Sequence, residues 1–405
     1  MESGPTQNEN EIEQTGAGAG GLAVSGTNQS EMRARNERLV LTLLRRRGSL
    51  AKAEIARLTG LSAQTAARLI HALEEDGLIK RGDPQRGRVG QPSIPMSLDP
   101  EGAYFMGLKV GRRSVELVLT DFLGSIVERR KQVYDYPGFD KVLDFAVSRA
   151  EDITQALGKG RQSRVAGLGI AMPFHLWSWA PRIGVSPELM ADWKTRDLGT
   201  ELGQRIDLPV FLQNDATAAC SAELVFGGSD LPANFASFYI AFFIGGGLVL
   251  RGSLFTGATG NAAGFGPLLV PDLNGEIRPL IDLASLSTLE SRLIREGLDV
   301  RHIWENPEDW NLPAGIVDGW LAEAAHALAY AIRATQTTLD LEAILIDGWL
   351  PRDMLADLTA RTAEVLDGID MTGMSRPRIE AGSLGADARP LGAASLPLNA
   401  RYLIE

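Results

Sequence analysis

A single cysteine, Cys220, in 405 residues excludes an internal disulfide and a cysteine-rich zinc site, and it fits a reducing cytosol. Its alanine-rich surroundings place it in a core. Histidine is also scarce, and His175, His302 and His326 have no companions at metal-ligand spacing. Long apolar runs are missing. The longest uncharged stretch, Leu231–Leu250, is broken by Pro232 and by Gly245, Gly246 and Gly247. It reads as a buried strand ending in a glycine turn rather than as a membrane span. The opening residues, MESGPTQNENEIEQ, are acidic and polar and do not make a secretory signal. A cytoplasmic protein with no membrane partner is expected.

What is present is an ordinary globular balance, 44% hydrophobic and 22% charged, enough for two or three domains. The net charge of −11 argues against non-specific nucleic-acid binding by the whole chain. The charge is unevenly placed, however. Residues 1–30 hold four acids and no bases, whereas residues 31–95 hold 13 Lys and Arg against 7 Asp and Glu. A small basic module is attached to a large acidic body, and such asymmetry points the basic part toward nucleic acid.

Residues 1–30, with GAGAGG and no apolar periodicity, read as a disordered tail. Residues 31–98 then carry a compact helical pattern. Leu39, Val40, Leu43 and Leu44 stripe a first helix ending at Gly48. Ser49 is placed to cap a second, with Ile55, Ala56 and Leu58. Gly60-Leu61-Ser62 turns, and Ser62 caps a third helix running to about Asp76 with Ala66, Leu69, Ile70 and Leu73 on its buried face. Helix, short glycine turn, helix is the helix-turn-helix arrangement. A strand, Leu78–Arg81, and a basic glycine-rich loop, Arg86-Gly87-Arg88-Val89-Gly90, complete the outline of a wing.

A helix in the major groove reads bases with its N-terminal half. Gln64, Thr65 and Arg68, with His71 one turn further, lie opposite the buried stripe of the third helix. Gln pairs with adenine and Arg with guanine, and the Thr methyl meets thymine. Ser62, Lys52 and Arg45 to Arg47 are the expected phosphate contacts, and Arg86 and Arg88 the expected minor-groove contacts. A protein-interaction module with merely solvated charges would share the helical pattern. The basic wing and the local positive charge set the DNA reading apart from it.

From residue 101 to 405, strand-like runs (Tyr104–Val110, Val115–Thr120, Val165–Ala171, Val210–Leu212, Phe235–Ile244, Ala343–Ile346) alternate with helical stretches (Leu143–Leu157, Ala218–Phe226, Val317–Leu339). This predicts an α/β body, and its size predicts two lobes with a cleft.

Several segments of that body resemble one family. Gly107-Leu108-Lys109-Val110-Gly111-Arg112-Arg113 resembles the first phosphate hairpin of sugar kinases with the actin/hexokinase-like (ribonuclease H-like) fold. Gly167–Pro173 resembles their next strand, and Gln213-Asn214-Asp215-Ala216-Thr217 the segment with the catalytic Asp. Gly245-Gly246-Gly247, Gly252, Gly257 and Gly260-Asn261 resemble the second hairpin and sugar loop. With the winged helix-turn-helix in front, residues ~35–400 are similar in motif order to a ROK family (repressor, open reading frame, kinase) transcriptional regulator of the xylose- and N-acetylglucosamine-repressor type.

The resemblance implies a sugar site at Asn214, Asp215, Asn261 and Glu290, the last in Leu289-Glu290-Ser291. It also marks departures. Lys109 stands where the family's kinases have an Asp that organises Mg-nucleotide. Ala241-Phe242-Phe243-Ile244-Gly245 stands for roughly Gly-Thr-Gly-Ile-Gly, and two phenylalanines should block the close backbone approach that phosphate needs. Trp349 replaces a glycine of the adenosine turn. Gly264 and Pro267 stand where a Gly-Glu-Ile-Gly-His segment supplies a sugar-binding Glu and a zinc-binding His, and the following cysteine cluster is missing. Neither ATP nor zinc is therefore expected as a cofactor. Trp177, Trp179 and Trp193 border the sugar cleft in the family, although each suits packing better. Asn214 and Asp215 are equally placed to cap the helix that follows them.

The expectation is a non-enzymatic, sequence-specific DNA-binding regulator of carbohydrate metabolism, a repressor, working as a homodimer or homotetramer on a pseudo-palindromic double-stranded operator and controlled by a small sugar-like effector. An active sugar kinase with a fused DNA module and a ligand-independent repressor remain as alternatives.

Overall fold

The computed structural model describes residues 29–84, 94–228 and 230–404. The tail, the wing tip with Arg86 and Arg88, Ser229 and Glu405 lie outside the described residues.

The N-terminal module comprises α1 (Gln29–Arg47), β1 (Leu50–Ala51), α2 (Lys52–Thr59), α3 (Ala63–Glu75), β2 (Ile79–Arg81) and β3 (Pro95–Leu98). Its sheet runs β1-β3-β2, antiparallel throughout. The expected Ser49 cap is not used. Leu50 and Ala51 are drawn into pairing with Met96 and Pro95, so α2 starts at Lys52 behind Ala51. Ser62 does cap α3, its Oγ accepting from the Thr65 amide at 3.2 Å.

The first lobe comprises β4 (Tyr104–Val110), β5 (Ser114–Thr120), β6 (Ile126–Val133), α4 (Phe139–Ala156), α5 (Lys159–Gln162), β7 (Val165–Met172), α6 (Asp192–Thr195), α7 (Leu198–Gly203), β8 (Val210–Asn214) and α8 (Asp215–Phe226). The second comprises β9 (Phe235–Ile240), β10 (Gly245–Leu250), β11 (Ser253–Leu254), β12 (Leu269–Pro271), β13 (Ile277–Pro279), α9 (Leu286–Arg295), α10 (Arg301–Glu305), α11 (Ala314–Leu339), β14 (Ala343–Gly348), α12 (Arg352–Asp367) and β15 (Arg378–Ala381). The sheets run β6-β5-β4-β7-β8 and β11-β10-β9-β14-β15. In each, an antiparallel hairpin is extended on its first strand's other edge by two parallel strands. The second lobe thus repeats the topology of the first, and their opening hairpins occupy equivalent places. The run read as one strand over Phe235–Ile244 ends at Ile240, because Ala241–Ile244 form the hairpin turn.

The last helix, α13 (Ala388–Tyr402), closes the structure. It packs on β4, β7 and α8 at backbone contact. A Cβ on Gly169 would lie 1.9 Å from the Ala393 carbonyl oxygen, and one on Gly392 would lie 1.9 Å from that of Ala218. Only glycine fits at these positions. The end of α13 reaches the N-terminal module, where the Ile404 amide donates to Thr42 Oγ1 at 3.0 Å. Val40, Leu41, Leu44, Ile55, Ile70 and Leu98 share one core with Phe105, Phe122, Ala394 and Leu403. Among the described residues no helix is long and apolar enough to cross a membrane.

Candidate functional site

The outer face of α3 presents Gln64, Arg68 and His71 to solvent. Thr65 is half-buried, and its hydroxyl lies 2.9 Å from Ser62 Oγ, so both side chains already take part in the cap. His71 Nε2 lies 3.5 Å from Glu75. Lys52, Arg46 and Arg47 are exposed around the same module. Arg45 departs from the expected phosphate contact. Its Nη2 donates to the Phe122 carbonyl and its guanidinium lies 5.5 Å from the Phe226 ring centre. Burial lowers its pKa to about 10. It fastens the module to the body instead of facing outward, because it lies on the α1 side that carries Leu41 and Leu44 into the shared core.

The second candidate site is the junction between the lobes, where the two hairpin turns meet. The first turn, Gly111-Arg112-Arg113, is held by Tyr134, whose hydroxyl donates to the Gly111 carbonyl at 2.6 Å. Arg112 reaches across so that its guanidinium carbon lies 4.4 Å from the Phe243 ring centre and 4.8 Å from that of Trp179. Arg113 lies 5.2 Å from Phe242 and 3.5 Å from Glu290. Phe242 and Phe243, the two aromatic residues of a turn that would have to be glycine-rich to cradle phosphate, are both buried, as are Ala241 and Ile244 beside them. Lys109 is buried as well, its Nζ 2.6 Å from Ser114 Oγ. Loss of hydration, then repulsion from Arg389, brings its pKa down to about 7. Trp349, in the adenosine-turn position, is buried with its Nε1 on the Ile303 carbonyl at 2.6 Å.

The expected sugar residues all have partners except one. Asn214 caps α8, its Oδ1 accepting from the amides of Ala216 and Thr217 at 3.1 and 3.3 Å. Asp215 is the first residue of that helix and receives Arg389 Nη1 at 3.3 Å. Glu290 also accepts from Trp304 Nε1 at 3.3 Å, and burial raises its pKa. Asn261 is exposed on the loop after β11, where neighbouring Ala263 takes a left-handed φ of 57°. Asp215 and Arg389 act electrostatically on both Arg112 and Lys109, and Arg113 acts on Glu290. Of the bordering tryptophans, Trp179 meets the site, whereas Trp193 packs on Phe139 and donates to the Pro137 carbonyl. Sequence reasoning missed Arg389, which lies beyond the last recognisable motif, and Arg112, which it read only as part of a hairpin. Among the described residues no three His, Cys, Asp or Glu side chains cluster to hold a metal.

A winged helix-turn-helix followed by a duplicated, two-lobed actin/hexokinase-like body defines a regulator built on a sugar-kinase frame. Comparison with known proteins agrees. Residues 105–282 match the ROK family and residues 34–88 match the MarR family. The chain carries a ROK family domain with a MarR-type winged-helix DNA-binding domain ahead of it. It is 27% identical over 367 residues to the uncharacterized protein y4fQ of Sinorhizobium fredii, covering 89% of this chain and 90% of that protein. It is 22% identical over 240 residues to the xylose repressor of Bacillus subtilis, covering 59% and 61%. In structure it resembles a ROK family transcriptional regulator, a homolog of the E. coli MLC protein, with a TM-score of 0.64 at 19% identity over 91% of this chain and 96% of that one. A ROK family glucokinase from Streptomyces griseus shares the body's fold, with a TM-score of 0.56 at 21% identity over 73% of this chain and 99% of that one.

Proposed function

We propose that this chain is a cytoplasmic, sequence-specific DNA-binding repressor whose body binds a sugar-like effector in the interlobe cleft without phosphoryl transfer. One observation carries the reading: a winged helix with an exposed Gln64–Arg68 face is joined through a shared core to a two-lobed body whose phosphate-cradling turns are filled by Arg112, Phe242 and Phe243. The relatives named as xylose repressors and as a ROK transcriptional regulator support it. In this reading Gln64 and Arg68 read base edges and His71 sits at the margin. Lys52, Arg46 and Arg47, with Ser62 and Thr65 at the cap, meet phosphates, and wing residues Arg86 and Arg88 approach the minor groove. Asp215, Asn214, Asn261 and Glu290 receive effector hydroxyls.

A single winged module buries too little surface for specific affinity of ~10⁻⁸–10⁻¹¹ M, so two copies are required on a pseudo-palindrome. Footprinting should return an inverted repeat. Arg68→Ala should cost about 1–3 kcal/mol of operator affinity and relax one base position, whereas Lys52→Ala should weaken all sequences alike and lower the salt slope by about 1. A footprint without symmetry, or an Arg68→Ala loss equal at every site, would count against the arrangement. A coupled assay with ATP and sugars should give no turnover. Turnover abolished by Asp215→Asn would overturn the non-enzymatic reading.

A further inference from the structure

Three cations, Lys109, Arg112 and Arg389, are buried where the lobes meet, beside three buried carboxylates, Glu116, Asp215 and Glu290, but the pairing leaves one cation over. Glu290 is engaged by Arg113, Asp215 by Arg389, and Glu116 by Arg129. Lys109 ends on the Ser114 hydroxyl, and Lys131 on the carbonyl oxygens of Trp304 and Glu305. Arg112 is left over. It is 8% exposed, its Nε has no hydrogen-bond partner, and its guanidinium donates to no described residue. Trp179 and Phe243 give it apolar contact but no lone pair. Arg389, 6% exposed, also has a buried Nε without a partner.

A buried guanidinium without an acceptor is strongly unfavourable unless an anion meets it. Its planar fork of donors matches a carboxylate or a phosphate. The aromatic pair fixes the fork in place, and Asp215, already bonded to Arg389, is the carboxylate whose charge also reaches Arg112. A ligand with an anionic group on Arg112 would supply the acceptor that Arg112 lacks, and a hydroxyl of the same ligand would add a donor to Asp215 beside Arg389.

We propose that the effector is a monosaccharide carrying one anionic group, a carboxylate or a phosphate, which Arg112 receives, with Lys109 and Arg389 adding to the attraction. This rests on the reading of the cleft as a sugar-effector site. In that reading the effector's charge completes the cleft, so a neutral sugar of the same shape binds more weakly.

Titration calorimetry on the full chain tests it, with glucose and xylose as neutral probes and glucuronate, xylonate and glucose 6-phosphate as anionic ones. At least one anionic probe should bind ten times more tightly than its neutral counterpart. Preference for the acids identifies a carboxylate, and preference for glucose 6-phosphate identifies a phosphate. Arg112→Gln should remove most of that preference, and Arg112→Lys, which keeps the charge without the fork, should remove part of it. The melting temperature of Arg112→Gln without ligand should hold or rise, because an uncompensated buried charge is gone. Neutral probes binding as tightly as anionic ones would overturn the anionic effector and leave the sugar-site reading standing. A preference that survives Arg112→Gln, or a collapse of that variant's melting temperature, would overturn the role of Arg112. Binding of no probe would overturn the sugar-site reading itself.

Discussion

Arg389 and Asp215 are buried together, and neither can be removed without stranding the other. Asp215→Ala should therefore destabilise the fold by about 3–5 kcal/mol, the usual cost of breaking a buried ion pair from one side. Urea denaturation measures this, and a loss under about 1 kcal/mol would mean that Arg389 finds another acceptor. Lys109 behaves differently. Its pKa of about 7 lies below the ordinary 10.5, through burial first and repulsion from Arg389 and Lys131 next, against the pull of Glu116 and Asp215. Between those values the unfolded chain holds a proton that the folded chain lacks. Stability then rises with pH across that window, and the full penalty is present below about pH 7. Lys109→Met should raise the melting temperature near pH 7, with the gain fading toward about pH 10. A gain that does not change with pH would show that Lys109 is held by packing alone. At this scale the sequence was only partly legible. Asn214, Asp215 and Glu290 could be found because each sits in a short local pattern. Their partners could not, because Arg389 lies 174 residues from Asp215 and Arg113 lies 177 from Glu290.

At the scale of elements, most of the strands that could be read were apolar ones, β4, β5, β7, β9 and β14, all buried along their length, and the less buried β2 and β8 were read besides. The edge strand β6, with the sequence IVERRKQV, was missed because its centre is a run of charged residues, no apolar alternation marks it, and its pairing comes only from β5. Helix α13 was missed for another reason. It contains Pro390, Gly392 and Pro397 and is buried on nearly every side, so neither propensity nor amphipathic period marks it. Its contacts force the helix there despite the propensity. Gly169→Ala or Gly392→Ala should consequently cost about 1–3 kcal/mol or more, since the new methyl meets backbone rather than a side chain that can move. Thermal denaturation reads the loss, and a neutral effect would mean that α13 can slide outward. The shared strand order of the two lobes could not be read from the sequence at all, because it depends on which distant strands pair.

Across the whole molecule, the DNA-reading module and the first lobe are packed as one. Phe105, Phe122 and Tyr402 form an aromatic group under α1, and the apolar side chains of α1, α2 and α3 run into it. Residues 31–98 produced alone should lose that support and melt far below the full chain by circular dichroism. A fragment as stable as the full chain would show that the module closes its own core. The same packing links the cleft to the DNA face through one rigid piece. Helix α13 has 15 residues, about 22 Å at ~1.5 Å per residue, with Arg389 on Asp215 near one end and Tyr402 against the module at the other. In a genetic screen for cells that no longer obey the regulator, alleles should fall in a third group besides those in α3 and those in the cleft. These would be substitutions at Gly107, Gly169 and Gly392, remote from operator-reading α3, where any other amino acid adds a side chain to a seam with no room for one.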